Sequence, residues 1–447
     1  MRGTRWSVSV GVLSLVTLAA MLAPASGASA SLATAKITTT TIRPGVTLEV
    51  IDDPQGPWSI RVLTIDPAQG VTLDEVTTGS IGAFAGTSEI GAAHNAIAAI
   101  NGDFSIDPGR PLHPFADDGT LKQSGVSGTG FAVSQDRTAA FFGNDHLTMT
   151  GVNHTTKKTF SVAEWNTGTP GPGEIAGFTT YGGRYEKPRS GGCYARLKVW
   201  SKLHWGQSQV GVYRDYTVIN RRCGNPYSVK SGTVVLQSHR GGAGAAAVNG
   251  MKNGEKVRLG WSLGWSGVLG SISGMPLLVN QGINLAPPNS CHSYFCSSNP
   301  RTGIAQTADG KLMLVTVDGR NPGTSVGLTL FGFAKYLISL GAVTAVNLDG
   351  GGGTTMWVNG QGIVNSPSDP WGERPVTSAV LVVASDPAEP ALLPFSASRT
   401  MFGPATGPGA PVTTVSSALA RRAASLDASD PASTGGLMQW LSSQTSG

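Results

Sequence analysis

The stretch LMLVTVDGRNPGTSVGLTLFGFAKYLISLGAVTAVNL, residues 312–348, decides the fold. Leu312 to Val317 are apolar or β-branched and predict a buried strand. Apolar residues then repeat at the helical spacing i, i+3, i+4, i+7, i+8, at Leu330, Phe333, Ala334, Leu337 and Ile338. Thr329 can cap the start of this helix and Gly341 its end. Because Val343 to Leu348 reads as a second strand, the stretch predicts a β–α–β unit, in the form of a right-handed parallel crossover.

Sequence patterns typical of β-strands predominate outside residues 312–348. The 61 glycines and the 13% of charged residues predict many tight turns between short strands. A helix is expected over about 81–94, and a hairpin around Asn359-Gly360. These segments predict an α+β fold, a mixed multi-stranded sheet core with few helices and one β–α–β crossover near 312–348. The clearest further strands are 47–51, 59–65, 71–76, 97–100, 233–237, 257–259, 354–358, 362–365 and 380–383.

Both ends of the chain differ from its body. Arg2 and Arg5 precede an apolar run from Val8 to Leu22 and the small residues Ala28-Ser29-Ala30. This order is typical of a Sec-type signal peptide over residues 1–30, cleaved near Ala30, and predicts a secreted, extracellular protein. A retained N-terminal anchor is the alternative. Residues 387–447 are rich in Ala, Pro and Ser and predict a flexible tail, or else a wall-anchoring or interaction segment.

The charge balance excludes one class of partner. Subtracting Arg2 and Arg5 from the 32 basic residues leaves 30 against 27 acidic ones, a formal charge of about +3. Basic residues form no run or stripe, so we expect no nucleic-acid partner. The mature chain also has no window apolar enough to span a membrane. The oligomeric state stays open.

Four cysteines predict disulfides in an oxidising compartment. Three pairings are possible, and Cys193–Cys223 with Cys291–Cys296 gives the shortest loops. A zinc site is the alternative, but neither C-x-x-C spacing nor a histidine pair at ligand spacing is present. We expect no metal or required cofactor. Clustered Asp and Asn side chains could hold Ca²⁺ or Mg²⁺, although no motif supports this.

Three polar clusters stand where strands are predicted to end. They are Asn101–Phe104, Asn299–Thr302 with Asp318–Arg320, and Asn347–Thr355, and Glu373-Arg374 follows downstream. Loops at strand ends are natural places for a binding site on a rigid scaffold. The glycines after Asp349 permit close approach of a ligand and could form an anion-binding nest of free N–H groups, although a tight connection between strands is the plainer interpretation.

The charged residues of these clusters suit a phosphorylated sugar. Guanidinium groups bind phosphate oxygens in pairs, and carboxylates are the usual catalysts of glycoside hydrolysis. Singly, each arginine would be interpreted as a surface ion pair and each Asp-Gly as a turn. Their combination within one block predicts an active site.

The same residues carry a resemblance to a known family. The chain resembles the phosphodiester glycosidases over about 40–386, which implies a single catalytic domain from 31 to 386. The motifs that match are AAINGDF at 98–104, GMPLLVNQG at 274–282, NPRTGIA at 299–305, LVTVDGR at 314–320, GLTL at 327–330, AVNLDGGGGTTMWVNG at 345–360, PSD at 367–369 and GERPV at 372–376. The sequence departs from the family pattern at Gly353, where Ser is common, and at Ser105, where a second aromatic residue is usual.

The resemblance implies hydrolysis of a sugar-1-phosphodiester, with an N-acetylhexosamine as the expected sugar, to free sugar and a phosphomonoester. It implies catalytic carboxylates at Asp349, Asp103, Glu373 and Asp318. Substrate-binding groups would be Arg301, Arg320, Arg374, Asn101, Asn299, Gly350, Gly351, Gly352, Thr354 and Thr355.

Two other functions stay open at this point. A non-catalytic protein that binds cell-surface polysaccharide or a wall polymer would use the same arginines, with Trp357 and Trp371 stacking on sugars. A metal-dependent phosphodiesterase would cut the P–O bond instead. Oxygen-18 from labelled water would enter the phosphate in that case and the sugar in a glycosidase.

Overall fold

The structure is a computed structural model that describes residues 35–137, 140–206 and 211–385. The predictions of a signal peptide over 1–30 and of a tail over 387–447 lie outside the described residues.

In these ranges the chain forms three α-helices and 29 β-strands. The helices are α1 Thr87–Ala93, α2 Gly242–Gly250 and α3 Leu330–Ser339. The first strands are β1 Lys36–Arg43, β2 Val46–Asp53, β3 Trp58–Ile65, β4 Val71–Thr77, β5 Ala98–Asn101, β6 Ser105–Ile106, β7 Arg110–Pro111, β8 Phe115–Asp117, β9 Thr120–Gln123, β10 Thr129–Ser134 and β11 Ala140–Asn144. The middle strands are β12 Thr148–Asn153, β13 Thr159–Ser161, β14 Glu164–Trp165, β15 Ile175–Phe178, β16 Cys193–Val199, β17 His204–Trp205, β18 Val212–Cys223, β19 Thr233–Ser238 and β20 Lys256–Ser262. The last strands are β21 Val268–Gly274, β22 Leu277–Asn280, β23 Ile283–Asn284, β24 Arg301–Thr307, β25 Leu312–Val317, β26 Ala342–Asn347, β27 Met356–Val358, β28 Gly362–Ile363 and β29 Ser378–Ala384.

The predicted β–α–β unit is present in an eight-stranded sheet of order β1-β2-β3-β25-β24-β26-β22-β23. Strands β25 and β26 each pair antiparallel with β24, so they run parallel to each other with β24 between them. Helix α3 connects them along the chain. The strands are therefore parallel as expected but are not neighbours, because β24 from earlier in the chain supplies the pairing between them.

The ends of α3 follow the predicted capping. The Thr329 hydroxyl accepts a hydrogen bond from the Gly332 N–H at 2.9 Å. Gly341 has φ +95°, the left-handed conformation that glycine allows after a helix. Phe333 and Leu337 are fully buried on the inner face. The other predicted helix is shorter than 81–94, because Ala85 forms a β-bridge with Val376 and the helix begins only at Thr87.

Three further large sheets complete the fold. Their orders are β28-β27-β5-β29-β4, β11-β10-β21-β8-β9, and β13-β12-β20-β18-β16-β19-β15-β14 with β17 beside β18. A single hydrophobic cluster contains Leu63, Phe131, Leu197 and Val380, one from each of the four sheets. The strands β27 and β28 form the predicted hairpin. The mixed α+β architecture is confirmed.

Both predicted disulfides are present. Cys193–Cys223 joins β16 to β18, and Cys291–Cys296 closes a short loop before β24. Strands β16 and β18 lie in the middle of the chain, about 150–280, where the sequence pattern is less clear.

Candidate active site

The three predicted polar clusters meet at one edge of the eight-stranded sheet. The start of β24 and the end of β26 share this edge because the two strands are antiparallel. Leu348 N donates to Thr302 O at 2.9 Å, and Asp349 N donates to Gly102 O at 3.1 Å. The loop after β26 is thus joined to the loop after β5 by one main-chain hydrogen bond and to β24 by another.

A tight 3₁₀ turn, Gly351–Gly353, forms the floor of the site; we call it the glycine turn. A Cβ on Gly352 would lie 2.1 Å from Asp369 Oδ1 and 2.4 Å from Arg374 Nη2. Charged side chains therefore pack directly on the main chain, and a side chain at this position would displace them.

The neighbouring glycines show the same packing. A Cβ on Gly351 would lie 2.8 Å from Arg320 Nη2, and one on Gly353 would lie 2.8 Å from Asp349 Oδ2. Two arginines and two carboxylates thus converge on the glycine turn.

Three N–H groups of the segment considered for an anion-binding nest are already hydrogen-bonded. Gly351 N donates to Pro300 O at 3.0 Å, Gly353 N to Gly350 O at 3.1 Å and Thr354 N to Gly351 O at 3.2 Å. These three donors are therefore engaged with main-chain oxygens, and the glycines give space to charged side chains.

Asp349 is the half-buried carboxylate of the site. Burial raises the pKa of Asp349 to about 7; the Asp103 charge adds to this shift, while Arg374, the Gly350 N–H and Arg320 oppose it. Asn101 Nδ2 donates to the main-chain oxygen of Asp349 at 2.7 Å. Asn101 is fully buried, so its role is to position Asp349 and not, as predicted, to bind substrate.

The arginines Arg320 and Arg374 differ in their anchoring. Arg374 makes a bidentate ion pair with Asp369, at 2.7 Å and 3.0 Å. Arg320 is exposed and donates to Tyr294 Oη at 2.6 Å, to Asn299 Oδ1 at 3.3 Å and to Ser368 Oγ at 3.3 Å. Asn299 is therefore a support for Arg320 rather than a substrate ligand.

Arg301 does not occupy the position of a phosphate ligand. It is only 3% exposed. Its Nε donates to Leu328 O at 2.8 Å, and its Nη2 donates to Phe295 O at 2.9 Å and Ser297 O at 2.5 Å. Burial lowers the pKa of Arg301 to about 9, so the side chain stays cationic at neutral pH. We correct its predicted role: Arg301 holds three main-chain carbonyls of the surrounding loops.

Two predicted catalytic carboxylates are also reassigned. Glu373 accepts hydrogen bonds from Ser88 N at 2.8 Å and Ser88 Oγ at 2.5 Å, so it caps the N-terminus of α1. Asp318 accepts from Asn365 Nδ2 and Ser366 N, both at 3.0 Å, and burial raises the pKa of Asp318. Both residues hold loops around the site, because their oxygens are already used by main-chain and side-chain donors.

The predicted threonine donors face inward. Thr354 is 1% exposed, and its hydroxyl accepts from Thr302 Oγ1 at 3.4 Å. Thr355 is fully buried, and its N–H donates to Asn101 Oδ1 at 3.1 Å. We therefore correct both from substrate ligands to parts of the network behind Asp349.

Asp103 has a partner that the sequence did not reveal. Its Oδ1 lies 2.6 Å from His113 Nδ1, and its Oδ2 accepts from His113 N at 2.8 Å. Burial disfavours a charged His113, but the charge and hydrogen bond of Asp103, with Asp145 also nearby, raise the pKa of His113. His113 stands alone between Leu112 and Pro114, so no local motif could have indicated it.

Within residues 35–137, 140–206 and 211–385 no group of three His, Cys, Asp or Glu side chains is arranged to hold a metal ion. No helix in the same ranges is long and apolar enough to cross a membrane.

Comparison with known proteins agrees with the motifs. A family model described as phosphodiester glycosidase matches residues 207–383, a range that contains Arg320, Asp349 and Arg374. The resemblance predicted from the motifs is thus confirmed over residues 207–383.

Relatives and solved structures extend this finding. The N-acetylglucosamine-1-phosphodiester alpha-N-acetylglucosaminidase of Bos taurus is 38% identical over 69 residues, which are 15% of this chain and 12% of that enzyme. A hypothetical protein from Synechocystis has a similar structure, with a TM-score of 0.61 and 20% identity over 78% of this chain and 64% of that one. A candidate exported protein of Burkholderia pseudomallei K96243 gives a TM-score of 0.54 and 23% identity over 73% of this chain and 74% of that one. The two structures share the fold.

Proposed function

We propose that the protein is a secreted hydrolase that cleaves a sugar-1-phosphodiester at its glycosidic C–O bond. The observation that carries this proposal is the packing of Asp349, Arg320 and Arg374 on consecutive residues of the glycine turn. The family match over residues 207–383 supports the same kind of activity. We expect an N-acetylhexosamine as the sugar, in line with the activity in the name of the bovine relative.

In this proposal the arginines bind the phosphate. Arg320 is exposed and held by three hydrogen bonds, so its guanidinium can meet phosphate oxygens without a large loss of side-chain entropy. Arg374, paired with Asp369, packs on the next glycine of the same turn and adds a second guanidinium group. The leaving group is a phosphomonoester with a second pKa of about 6, so it departs without a strong general acid.

Asp349 then serves as the base. It takes a proton from a water molecule whose oxygen bonds to the anomeric carbon, while the electrons of the C–O bond leave with the phosphate. A carboxyl group with a pKa of about 7 is a stronger base than an ordinary aspartate and is still ionised in part at neutral pH. Asp103, paired with His113, helps to raise the pKa of Asp349 through its negative charge.

Export is part of the proposal. The two disulfides and the absence of a membrane-spanning helix in the described residues agree with an extracellular protein. The N-terminal thirty residues supply the predicted signal.

The test is hydrolysis of UDP-N-acetylglucosamine and N-acetylglucosamine-1-phospho-methyl mannoside in ¹⁸O-labelled water. We expect the label in the released sugar and a fall in kcat/KM of about 100-fold in Arg320→Gln, because one charge-stabilising donor is lost. Arg184→Gln, which alters an exposed arginine outside the site, serves as the matched control and should keep full activity. Label in the phosphate would indicate P–O cleavage. No release, together with tight binding to a wall polymer, would indicate the binding protein instead.

A further inference from the structure

The loop closed by the Cys291–Cys296 disulfide reaches the candidate active site; we call residues 291–299 the cystine loop. Its main chain accepts hydrogen bonds from the side chains of Arg301 and Asn299. Phe295 O and Ser297 O accept from Arg301 Nη2, and Tyr294 O accepts from Asn299 Nδ2 at 3.1 Å. The loop is therefore fixed to the sheet edge from which the glycine turn also starts.

Tyr294 connects this loop to the exposed arginine. Its hydroxyl accepts the shortest of the three hydrogen bonds of Arg320, at 2.6 Å, and Asn299 of the same loop accepts a second at 3.3 Å. The third acceptor, Ser368 Oγ, lies on a different loop at 3.3 Å. The cystine loop thus supplies two of the three side-chain acceptors that hold Arg320.

The need for such an anchor follows from the arginine itself. Arg320 is exposed, and an exposed arginine has many rotamers, so binding an anion costs side-chain entropy unless the guanidinium is already oriented. Tyr294 is 46% exposed, so the surrounding protein does not bury its ring in one position. The covalent closure of its loop, three residues before it and two after it, acts with the hydrogen bonds from Arg301 to limit where the hydroxyl can lie.

We propose that Tyr294 is a positioning residue for phosphate recognition and that the Cys291–Cys296 disulfide sets the affinity of the anion site through it. The inference rests on the proposed function for the identity of the anion. It assigns the disulfide to binding of the phosphate and not to the bond-cleaving step, because Asp349 is held by Asn101 and the glycine turn rather than by the cystine loop.

The test compares Tyr294→Phe with Tyr185→Phe. Both tyrosine hydroxyls accept from an arginine Nη2 at 2.6 Å, but Tyr185 pairs with Arg184 outside the site. We expect Tyr294→Phe to weaken the binding of inorganic phosphate, measured by titration calorimetry, about tenfold, the effect of one hydrogen bond to a charged group. With a phosphodiester substrate, KM should rise by a similar factor while kcat stays within about twofold. Tyr185→Phe should change neither constant.

A second pair of variants tests the disulfide. Cys291→Ser/Cys296→Ser should weaken phosphate binding at least as much as Tyr294→Phe, whereas Cys193→Ser/Cys223→Ser, far along the chain from the site, should leave it unchanged. Should the first of these variants fail to fold, as shown by circular dichroism, Tyr294→Phe alone decides. Equal phosphate affinity and equal KM in wild type and Tyr294→Phe would overturn the inference. Wild-type protein that binds phosphate through Arg320 and Tyr294 but releases no sugar would contradict the proposed function and leave this inference standing.

Discussion

At the scale of single residues, burial divides the charged side chains into two groups. Asp349 and Arg320 keep access to solvent, whereas Arg301 and Asp318 are 3% and 5% exposed and hydrogen-bonded to nearby polar groups. Aspartate and arginine are therefore available to a substrate at the first two positions and hold the surrounding loops at the other two. The difference lies in which partners the fold brings to each side chain.

Asp349→Asn should lower kcat by at least about 100-fold, because the amide cannot accept the proton of the attacking water. In the wild type, kcat/KM should fall as pH drops through about 7, since protonation of Asp349 removes the base. The variant should lose that pH dependence in any residual activity.

Asp309→Asn, which alters an exposed carboxylate paired with Lys311, is the matched control and should keep both the rate and the pH profile. A pH profile of the wild type that is flat between pH 5 and pH 8 would contradict the role of Asp349 as base.

The buried carboxyl group of Glu75 should make the stability of the protein depend on pH. It is 1% exposed on β4, and burial, with the charges of Asp74 and Asp117, raises its pKa well above the usual value. The unfolded chain releases this proton near the ordinary pKa, whereas the folded chain retains it, so the folded state binds more protons and loses stability as pH rises. We expect the melting temperature to fall between pH 5 and pH 8, and to fall less in Glu75→Gln.

Glu49→Gln on the half-buried face of β2 is the control for this prediction and should leave the slope of melting temperature against pH unchanged. If the melting temperature of Glu75→Gln falls with pH as steeply as that of the wild type, another group causes the pH dependence.

At the scale of elements, the glycine turn shows how a short segment can place several charges. Its three residues carry no side chains, so Arg320, Asp369 with Arg374, and Asp349 can each pack on one of them. The turn follows β26, whose position is fixed by pairing with β24. The site geometry thus depends on sheet pairing as well as on the glycines.

Gly352→Ala should displace the Arg374–Asp369 pair, because the new Cβ would lie 2.4 Å and 2.1 Å from their polar atoms. We expect a folded protein whose kcat/KM is reduced about 100-fold through loss of positioning. Gly250→Ala, at the end of α2 with no atom within 4 Å of its Cβ, is the matched control. Wild-type kinetics for Gly352→Ala would show that the pair is not needed in its present place.

At the scale of the whole molecule, the four large sheets share one hydrophobic cluster. The nine-stranded sheet contributes no predicted site residue, yet it is cross-linked by Cys193–Cys223 between β16 and β18. We therefore expect this disulfide to contribute to the stability of the fold rather than to activity.

Cys193→Ser/Cys223→Ser should lower the free energy of unfolding by about 2–4 kcal/mol, because the unfolded chain gains the entropy of an open loop. Activity at 25 °C should stay at the wild-type level, since the sheet lies outside the site. Denaturant titration measures the first quantity and sugar release the second; a loss of activity without loss of stability would connect this sheet to the site.

Features that depend only on neighbouring residues along the chain could be predicted from the sequence. Strands at 58–65 and 312–317, the capped helix 330–339, the hairpin at 359–360 and the cysteine pairing all follow from periodicity, turn chemistry or loop length. The sequence also predicts Asp349, Arg320 and Arg374 as site residues, because each stands in a short motif with glycine. These signals span a few residues, so no tertiary contact is needed to read them.

Which of these residues are accessible to solvent depends on the tertiary structure. Asn101 and Asp349 are 248 residues apart and still share a hydrogen bond, and Glu373 bonds Ser88 from 285 residues away. His113 meets Asp103 through packing that no local pattern encodes. Whether a polar side chain faces solvent or satisfies buried partners is set by strand pairing across the whole chain, because buried polar groups take whatever donors and acceptors the sheets bring beside them.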